Sequence, residues 1–416
     1  MNDSFTYLEG LKSRGIQLGI GPITRLLDRL GSPQNDYKTV LIGGTNGKGS
    51  TAAFLASILK RDGMKVGLYT SPHLYDFRER IRVDDRMVEE DELRNLIDTV
   101  RRGMLEDVTY FEFATALAFL YFSQRSVDIA VVEVGMGGRL DATNLVSPEV
   151  SMITNISLEH QNYLGRDLKS IAREKGGIIK ERGICITAAT GRTVIDTLDD
   201  ICIQKQAMLY RIGRDMRIRR SPGGSFSYYG IQRCYRGLTL SLAGWHQVTN
   251  AALALGAVDL LKQKGIDISD TSVVEGLQKT RWEGRLECIS HSPRIIVDGA
   301  HNPAGISVLC QALTSNFSYR RLVIVFGVLH DKNYTRMLKR LALLADTLIL
   351  TRPQEERALS PEKLMPVIPS SFDSHVEIIE DSGRALDRAR SLAEDGDLIC
   401  VTGSLYLVGE IKKTYQ

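Results

Sequence analysis

The segment GGTNGKGS, residues 43–50, carries the residue types needed to grip a polyphosphate. Glycines let successive backbone N–H groups converge on phosphate oxygens, a following helix adds the positive end of its dipole, and Lys48 supplies a full charge for the terminal phosphates. The candidate loop comprises Gly44, Asn46, Gly47, Lys48, Gly49 and Ser50, and it departs from the common phosphate-loop spacing. Gly49 is inserted between Lys48 and Ser50, and the upstream glycine is displaced. The competing reading is a plain glycine turn, and the strand before it and helix after it favour phosphate. A Mg²⁺ ion should accompany such a loop, because moving a phosphoryl group onto a second anion requires the repulsion to be screened. Glu133 is the natural ligand: it ends the apolar run VDIAVVEV, where a carboxylate would emerge at the carboxyl edge of a sheet. A buried salt bridge is the alternative use of that acid. His160 closes MITNISLEH at another expected carboxyl edge; alone, such a histidine is more often a hydrogen-bonded core or surface residue than a ligand.

These residues need strands and helices to hold them. Apolar runs at 38–44, 65–70, 127–135, 150–156 and 183–189 read as parallel strands, with helices between them, notably 111–125. An amphipathic helix with Ile23, Leu26, Leu27 and Leu30 on one face precedes the first strand, and the helix after the phosphate loop ends at Gly63. Residues 211–244 alternate in short runs broken by Gly and Pro, as a small antiparallel meander does. After residue 292 a second alternation begins, with four strands and intervening helices. The expected fold is therefore α/β. A P-loop-type, mostly parallel sheet flanked by helices and carrying the small antiparallel segment occupies 1–286, and a smaller Rossmann-like α/β domain occupies 292–416.

Composition supports two folded domains. The 416 residues exceed what one core ordinarily organises, and 43% hydrophobic with 25% charged residues leaves enough apolar material to fill two. A net charge of +3, spread along the chain, argues against nucleic acid or a membrane surface as partner. The start MNDSFTYLEGLKSRG has no apolar stretch of a signal peptide, and no run approaches the roughly 20 residues of a membrane span, so a cytoplasmic protein is expected. Six scattered cysteines form no metal-ligand spacing and read as reduced thiols, mostly in the core.

Taken together, GGTNGKGS, YTSPHL (69–74), FRERIRV (77–83), FEFATALAF (111–119), EVGMGGRLDATN (133–144), ITNISLEH (153–160), EKGGIIK (174–180), GWHQVTNAA (244–252), RWEGRLE (281–287) and VDGAHNPAG (297–305) occur in an order and spacing that resembles the dihydrofolate synthase and folylpolyglutamate synthase family of the Mur ligase superfamily. The resemblance covers nearly the whole chain. It implies an ATP-dependent ligase that activates a carboxylate as an acyl phosphate and joins it to L-glutamate, making dihydrofolate from dihydropteroate and extending tetrahydrofolate with γ-linked glutamates. It further implies a monomer that meets only small molecules.

The resemblance also implies roles. Ser71, Glu133 and His160 match the residues that hold two Mg²⁺ ions. Lys175 matches a lysine that is carbamylated in relatives, although by itself it reads as a helix-surface lysine. Asn250 matches an adenine contact, Asp298 a ribose-binding acid, Arg285 an arginine that reaches the phosphates, and His301 a residue near the transferred phosphate and the incoming glutamate. Leu140, Asp141 and Ala142, with Thr109 and Phe111 opposite, match the pterin pocket of bifunctional enzymes, and Ser404 a residue lining the glutamate site. Two departures stand out: Glu283 replaces a frequent proline, and Gly176 a frequent alanine, and both are expected to loosen the local backbone.

Three rivals remain. A family member confined to tail extension would often differ from GGRLDATN at the pterin loop. A peptidoglycan-type Mur ligase would place a UDP-binding domain of about a hundred residues before the loop, whereas 43 residues precede Gly44. A P-loop switch protein would carry an N-K-x-D guanine motif, which the sequence lacks, and would not account for the second α/β unit.

Overall fold

The computed structural model describes residues 3–370, 372 and 374–415. The first sheet contains β1 (Lys38–Gly43), β2 (Val66–Tyr69), β3 (Ile81–Val83), β4 (Arg86–Met87), β5 (Ile129–Glu133), β6 (Val150–Ile153), β7 (Ile184–Thr187) and β8 (Met208–Arg211), in the order β4-β3-β2-β5-β1-β6-β7-β8. The ladder from β2 through β8 is parallel, and β3 and β4 add antiparallel at one edge. The central strands are buried along nearly their whole length, which is why they read as unbroken apolar runs. Register sets what leaves the sheet together. Ile42 pairs with Glu133 and Gly43 with Ile153, so the phosphate loop, Glu133 and the segment after β6 emerge at one level. From β1 the chain turns to β2 on one side, and from β6 to β7 on the other, which opens a crevice at the carboxyl edge.

Helices cover this sheet. Tyr110–Gln124 is buried from Glu112 to Phe122 and begins at a capping box made by Thr109 and Glu112. Trp245–Gln263 is buried on nearly every face, which its all-round apolar sequence requires. Phe113, Phe119 and Phe122 join Leu41, Val132 and Ile153 in one core. The expected meander is a three-stranded antiparallel sheet of β9 (Arg217–Arg220), β10 (Phe226–Tyr229) and β11 (Cys234–Leu238).

The second sheet holds β12 (Glu287–His291), β13 (Arg294–Asp298), β14 (Leu322–Phe326), β15 (Thr347–Arg352), β16 (His375–Asp381) and β17 (Leu398–Thr402), in the order β12-β13-β17-β14-β15-β16. Among the described residues it has six strands where four were expected. The two additions, β12 and β16, are edge strands whose polar and charged residues hide the strand signal, as edge protection does. Apolar clusters fill both faces of the sheet.

One unit comprises residues up to Pro72, Phe77–Ser241 and Gln247–Thr280; the other comprises His73–Asp76, Leu242–His246 and residues from Arg281 onward. The stretch 286–292, expected as a boundary, is thus mostly the edge strand β12, paired antiparallel with β13. Four cysteines are buried and two, Cys234 and Cys288, are exposed, all free. Among the described residues no helix is long and apolar enough to cross a membrane.

Candidate functional site

The phosphate loop leaves β1 with Gly44 at φ +130° and Gly47 at φ +86°, backbone that side chains rarely adopt. Space demands glycine as well. A Cβ at Gly44 would collide with Thr154 Oγ1, and one at Gly47 with Asn250 Oδ1. Gly47 caps the helix Lys48–Arg61, whose first turn contains the buried Gly49 and Ser50, so N–H groups are presented at a dipole end. Lys48 Nζ donates to the Thr45 carbonyl at 3.3 Å and lies 3.8 Å from Glu133 Oε1.

The loop is clamped from one side by the segment after β6. Asn155 Oδ1 accepts from Asn46 N–H at 3.0 Å while Asn155 Nδ2 donates to the Asn46 carbonyl at 3.0 Å, satisfying both backbone groups with one amide. Thr154 Oγ1 donates to the same carbonyl at 2.7 Å, and Ser157 N–H donates to Thr45 Oγ1 at 3.1 Å. The sequence analysis did not select Thr154, Asn155 or Ser157. They lie in ITNISLEH, three to six residues before His160, but their role depends on contact with residues about 110 positions away.

Glu133 is 4% exposed and its Oε2 accepts from Ser71 N–H at 3.2 Å, so the structure brings these two candidate ligands together beside Lys48. The salt-bridge alternative is therefore partly realised: Glu133 faces both a cation and the phosphate-loop crevice. His160 caps the short helix Gln161–Leu164 with φ +49°, and its Nε2 lies 3.7 Å from Glu159 Oε1. No group of three His, Cys, Asp or Glu side chains forms a ready cage among the described residues. Glu133 with Ser71 beside it fits Mg²⁺, which takes one or two carboxylates and completes its shell with waters and phosphate oxygens.

Lys175, which reads locally as a surface residue, is 2% exposed and donates from Nζ to the Gly44 carbonyl at 2.7 Å. Burial, reinforced by the charge of Lys48, lowers its pKa to about 7, with Glu159 and Asp141 opposing. Gly176 beside it does not loosen the backbone: it ends the helix Leu168–Gly176, where a Cβ would meet Ile201 Cδ1 at 2.5 Å, so the glycine permits close helix packing.

The expected pterin residues serve the scaffold first. Thr109 caps the helix Tyr110–Gln124 and donates to Glu112 Oε2 at 2.8 Å. Phe111 lies over Gly135 just past β5, with Tyr69 at a ring distance of 6.1 Å. Asp141 is buried and accepts from Met136 N–H at 2.8 Å and from Thr143 N–H and Oγ1 at 3.0 and 2.5 Å; burial raises its pKa while these bonds oppose. Its carboxylate shapes the loop that presents the half-buried Leu140 and the buried Ala142. Asn250 Nδ2 donates to Gln247 Oε1 at 2.9 Å, and the side chain packs on Gly47.

In the second unit, Asp298 ends β13 and accepts from Leu286 N–H and Ala300 N–H, both at 2.9 Å. His301 Nδ1 is 2.8 Å from the Gly299 carbonyl, and Arg285 Nη1 donates to the Gly284 carbonyl at 3.0 Å. His246, absent from the expected set, has its pKa lowered by burial, opposed by Asp298 and assisted by Arg285. Ser404 is buried and caps the helix Leu405–Thr414, accepting from Tyr406 N–H at 3.1 Å. Glu283 is anchored instead of loose: Lys412 bridges it at 2.7 Å and Glu287 at 2.6 Å.

Two families match the chain: the Mur ligase middle domain over residues 42–258 and the Mur ligase glutamate ligase domain over 284–405. The dihydrofolate synthase/folylpolyglutamate synthase of Bacillus subtilis (strain 168) is 34% identical over 425 residues, covering 99% of this chain and 98% of that protein. Escherichia coli FolC in complex with DHPP and ADP superposes with a TM-score of 0.90 at 31% identity, covering 98% and 96%. The bifunctional folylpolyglutamate synthase/dihydrofolate synthase of Yersinia pestis complexed with AMPPNP and Mn ion gives 0.89 at 30% identity, covering 99% and 96%.

Proposed function

Because this chain belongs to the dihydrofolate synthase and folylpolyglutamate synthase family of Mur ligases, we propose that it is an ATP-dependent ligase that joins pterin carboxylic acids to L-glutamate. A carboxylate oxygen of dihydropteroate, or the γ-carboxylate of a tetrahydrofolate glutamate, attacks the γ-phosphorus of ATP and ADP leaves. The amine of glutamate then attacks the acyl phosphate carbonyl, phosphate leaves, and the nitrogen loses a proton to give the amide. The observation that carries this reading is the convergence of the phosphate loop, Glu133 and Ser71 at one carboxyl edge, with the buried Lys175 against the loop.

In this mechanism Lys48 and the N–H groups of residues 44–50 bind and orient the phosphates, with Asn250 packed against the loop. The resemblance to the family gives Asp298 the role of ribose-binding acid, and Arg285 and His301 roles toward the transferred phosphoryl group and the incoming amine. Ser71, Glu133 and His160 would hold Mg²⁺, which when bound screens charge between the carboxylate and the phosphates. Leu140, Ala142 and Phe111 flank the pterin, and Asp141 and Thr109 act through the shape of the loop and helix start. The GGRLDATN loop favours both activities over tail extension alone. A product assay offering dihydropteroate and tetrahydrofolate separately, each with ATP, Mg²⁺ and glutamate, tests this: both should yield amide with stoichiometric ADP and phosphate. ATP turnover that ignores both pterin acid and glutamate would mark a nucleotide switch instead.

The position of Lys175 supports carbamylation. With a pKa of about 7, about half the amine is neutral near pH 7, and only the neutral amine attacks CO₂. The carbamate so formed replaces a cation with an anion against the loop that carries Gly44. Incubation with ¹³C-bicarbonate should give a carbamate carbon signal by NMR that is missing in Lys175→Ala. With dissolved ¹³CO₂ held at one concentration across the series, the labelling rate should fall as pH drops from 8 to 6, since the amine protonates through its folded pKa. A wild-type protein with no such signal would leave Lys175 as an unmodified hydrogen-bond donor.

A further inference from the structure

From residue 217 to residue 238 the chain carries five arginines and no Asp, Glu or Lys, a local excess larger than the +3 of the whole sequence. The fold puts this stretch into the three-stranded sheet of β9, β10 and β11, and the register sorts its side chains by face. Ile218, Tyr228 and Tyr235 pair across the strands on the inner face, where Tyr228 and Tyr235 stack at a ring distance of 6.4 Å. That face rests on the helix Trp245–Gln263: the Tyr228 hydroxyl and the Ile231 N–H donate to Asp259 Oδ2 at 3.4 and 3.0 Å.

The outer face is the basic one. Arg217, Tyr229 and Cys234 form one row across the sheet, and Arg219 and Ser227 form the next, with Arg236 opposite Ser227 at a bulge. All three arginines are exposed. Among the described residues none of the three is paired with a carboxylate, whereas Arg214 is paired with Asp215 and Arg233 with Asp270. Strand spacings put the three positions within roughly 12 Å of one another, and like charges that close on one sheet face repel and cost stability. Solubility alone would be served as well by lysine, which is missing here, whereas the planar guanidinium is suited to grip a carboxylate with two hydrogen bonds.

The same helix relates this face to the phosphate loop. Asn250 packs on Gly47, and Asp259, which holds the meander, lies nine residues further along, roughly 14 Å at the rise of an α-helix. We propose that the arginine face binds the γ-linked glutamate tail of folates, taking up the free α-carboxylates of a tail already several residues long. Each γ-linked unit leaves one carboxylate free, so the tail is a flexible polyanion, and only a tail of several units has charges enough to engage three arginines. The assignment rests on the ligase reading above and adds to it a second contact area, one that long-tailed folates reach and short-tailed ones do not.

Calorimetric titration of the full chain with γ-linked pentaglutamate tests the surface without requiring turnover. The wild type should bind it, with an affinity that falls as ionic strength rises. In a triple variant, Arg217→Ser with Arg219→Ser and Arg236→Ser, the affinity should fall about tenfold, the scale of three lost exposed ion pairs. Arg217→Lys with Arg219→Lys and Arg236→Lys should recover part of it. In steady-state kinetics the serine variant should raise the KM for pentaglutamyl tetrahydrofolate by a similar factor while leaving kcat and the KM for the monoglutamyl form at wild-type values, a split that general destabilisation would not produce. Wild-type ligation together with equal pentaglutamate affinity in the wild type and the serine variant overturns this assignment alone. Tighter binding of an oligouridylate than of pentaglutamate also overturns it and marks a nucleic-acid surface instead. Failure of the wild type to ligate any pterin acid overturns it together with the functional reading.

Discussion

Lys48→Ala is expected to abolish ligation while leaving the chain folded. The lysine opens the helix Lys48–Arg61 with its ammonium between the Thr45 carbonyl and Glu133, where the phosphates of ATP would meet it. Removing a preorganised charge aimed at transferring phosphate is worth roughly a thousandfold or more in kcat. The helix should persist, since alanine is a better helix former than lysine at little energetic difference. Glu133 would lose the Lys48 ammonium, but Ser71 N–H still donates to it. The measurement is ADP release under saturating substrates, with thermal unfolding as a control. Activity close to wild type would defeat the assignment of residues 44–50 to phosphate.

Glu133→Gln is expected to have the second largest effect. The substitution keeps size and the bond from Ser71 N–H but removes the charge of a nearly buried carboxylate at the end of β5. Turnover should fall roughly a hundredfold and the Mg²⁺ concentration for half-maximal rate should rise, in line with losses seen when metal-site ligands or their supports are altered. Binding of Mn²⁺ in the presence of a non-hydrolysable ATP analogue, followed by electron paramagnetic resonance, separates this from a purely electrostatic effect on Lys48. If Glu133 is a ligand, binding weakens in step with turnover. An unchanged metal response would remove Glu133 from the metal site and leave it as the counter-charge of Lys48.

Much of this site is local in origin, and that part was legible. Gly44 and Gly47 adopt positive φ, so their glycines are readable from chain position alone. The strands flanking them are buried on both faces, and so carry unbroken apolar runs. The edge strands β12 and β16 were not legible, because an edge strand dilutes its apolar pattern with polar and charged residues. Nor were the short excursions His73–Asp76 and Leu242–His246 into the second unit, since membership of a unit is set by contacts and not by composition. Asn155 escaped for the same reason. An asparagine after a strand is common, and only its paired bonds to Asn46 reveal a clamp.

The sequence by itself pointed to residues 44–50 as a glycine-rich turn between a strand and a helix and to Glu133 as the carboxylate that ends a buried strand, because backbone conformation and strand ends depend on a few consecutive residues. Tertiary structure alone decided the state of Lys175. In the chain it is one lysine near the end of a helix; in the fold it is sealed from water against the carbonyl of Gly44, 131 residues away. Desolvation acts through every atom packed around a charge, wherever in the chain those atoms originate, so no local pattern could announce it.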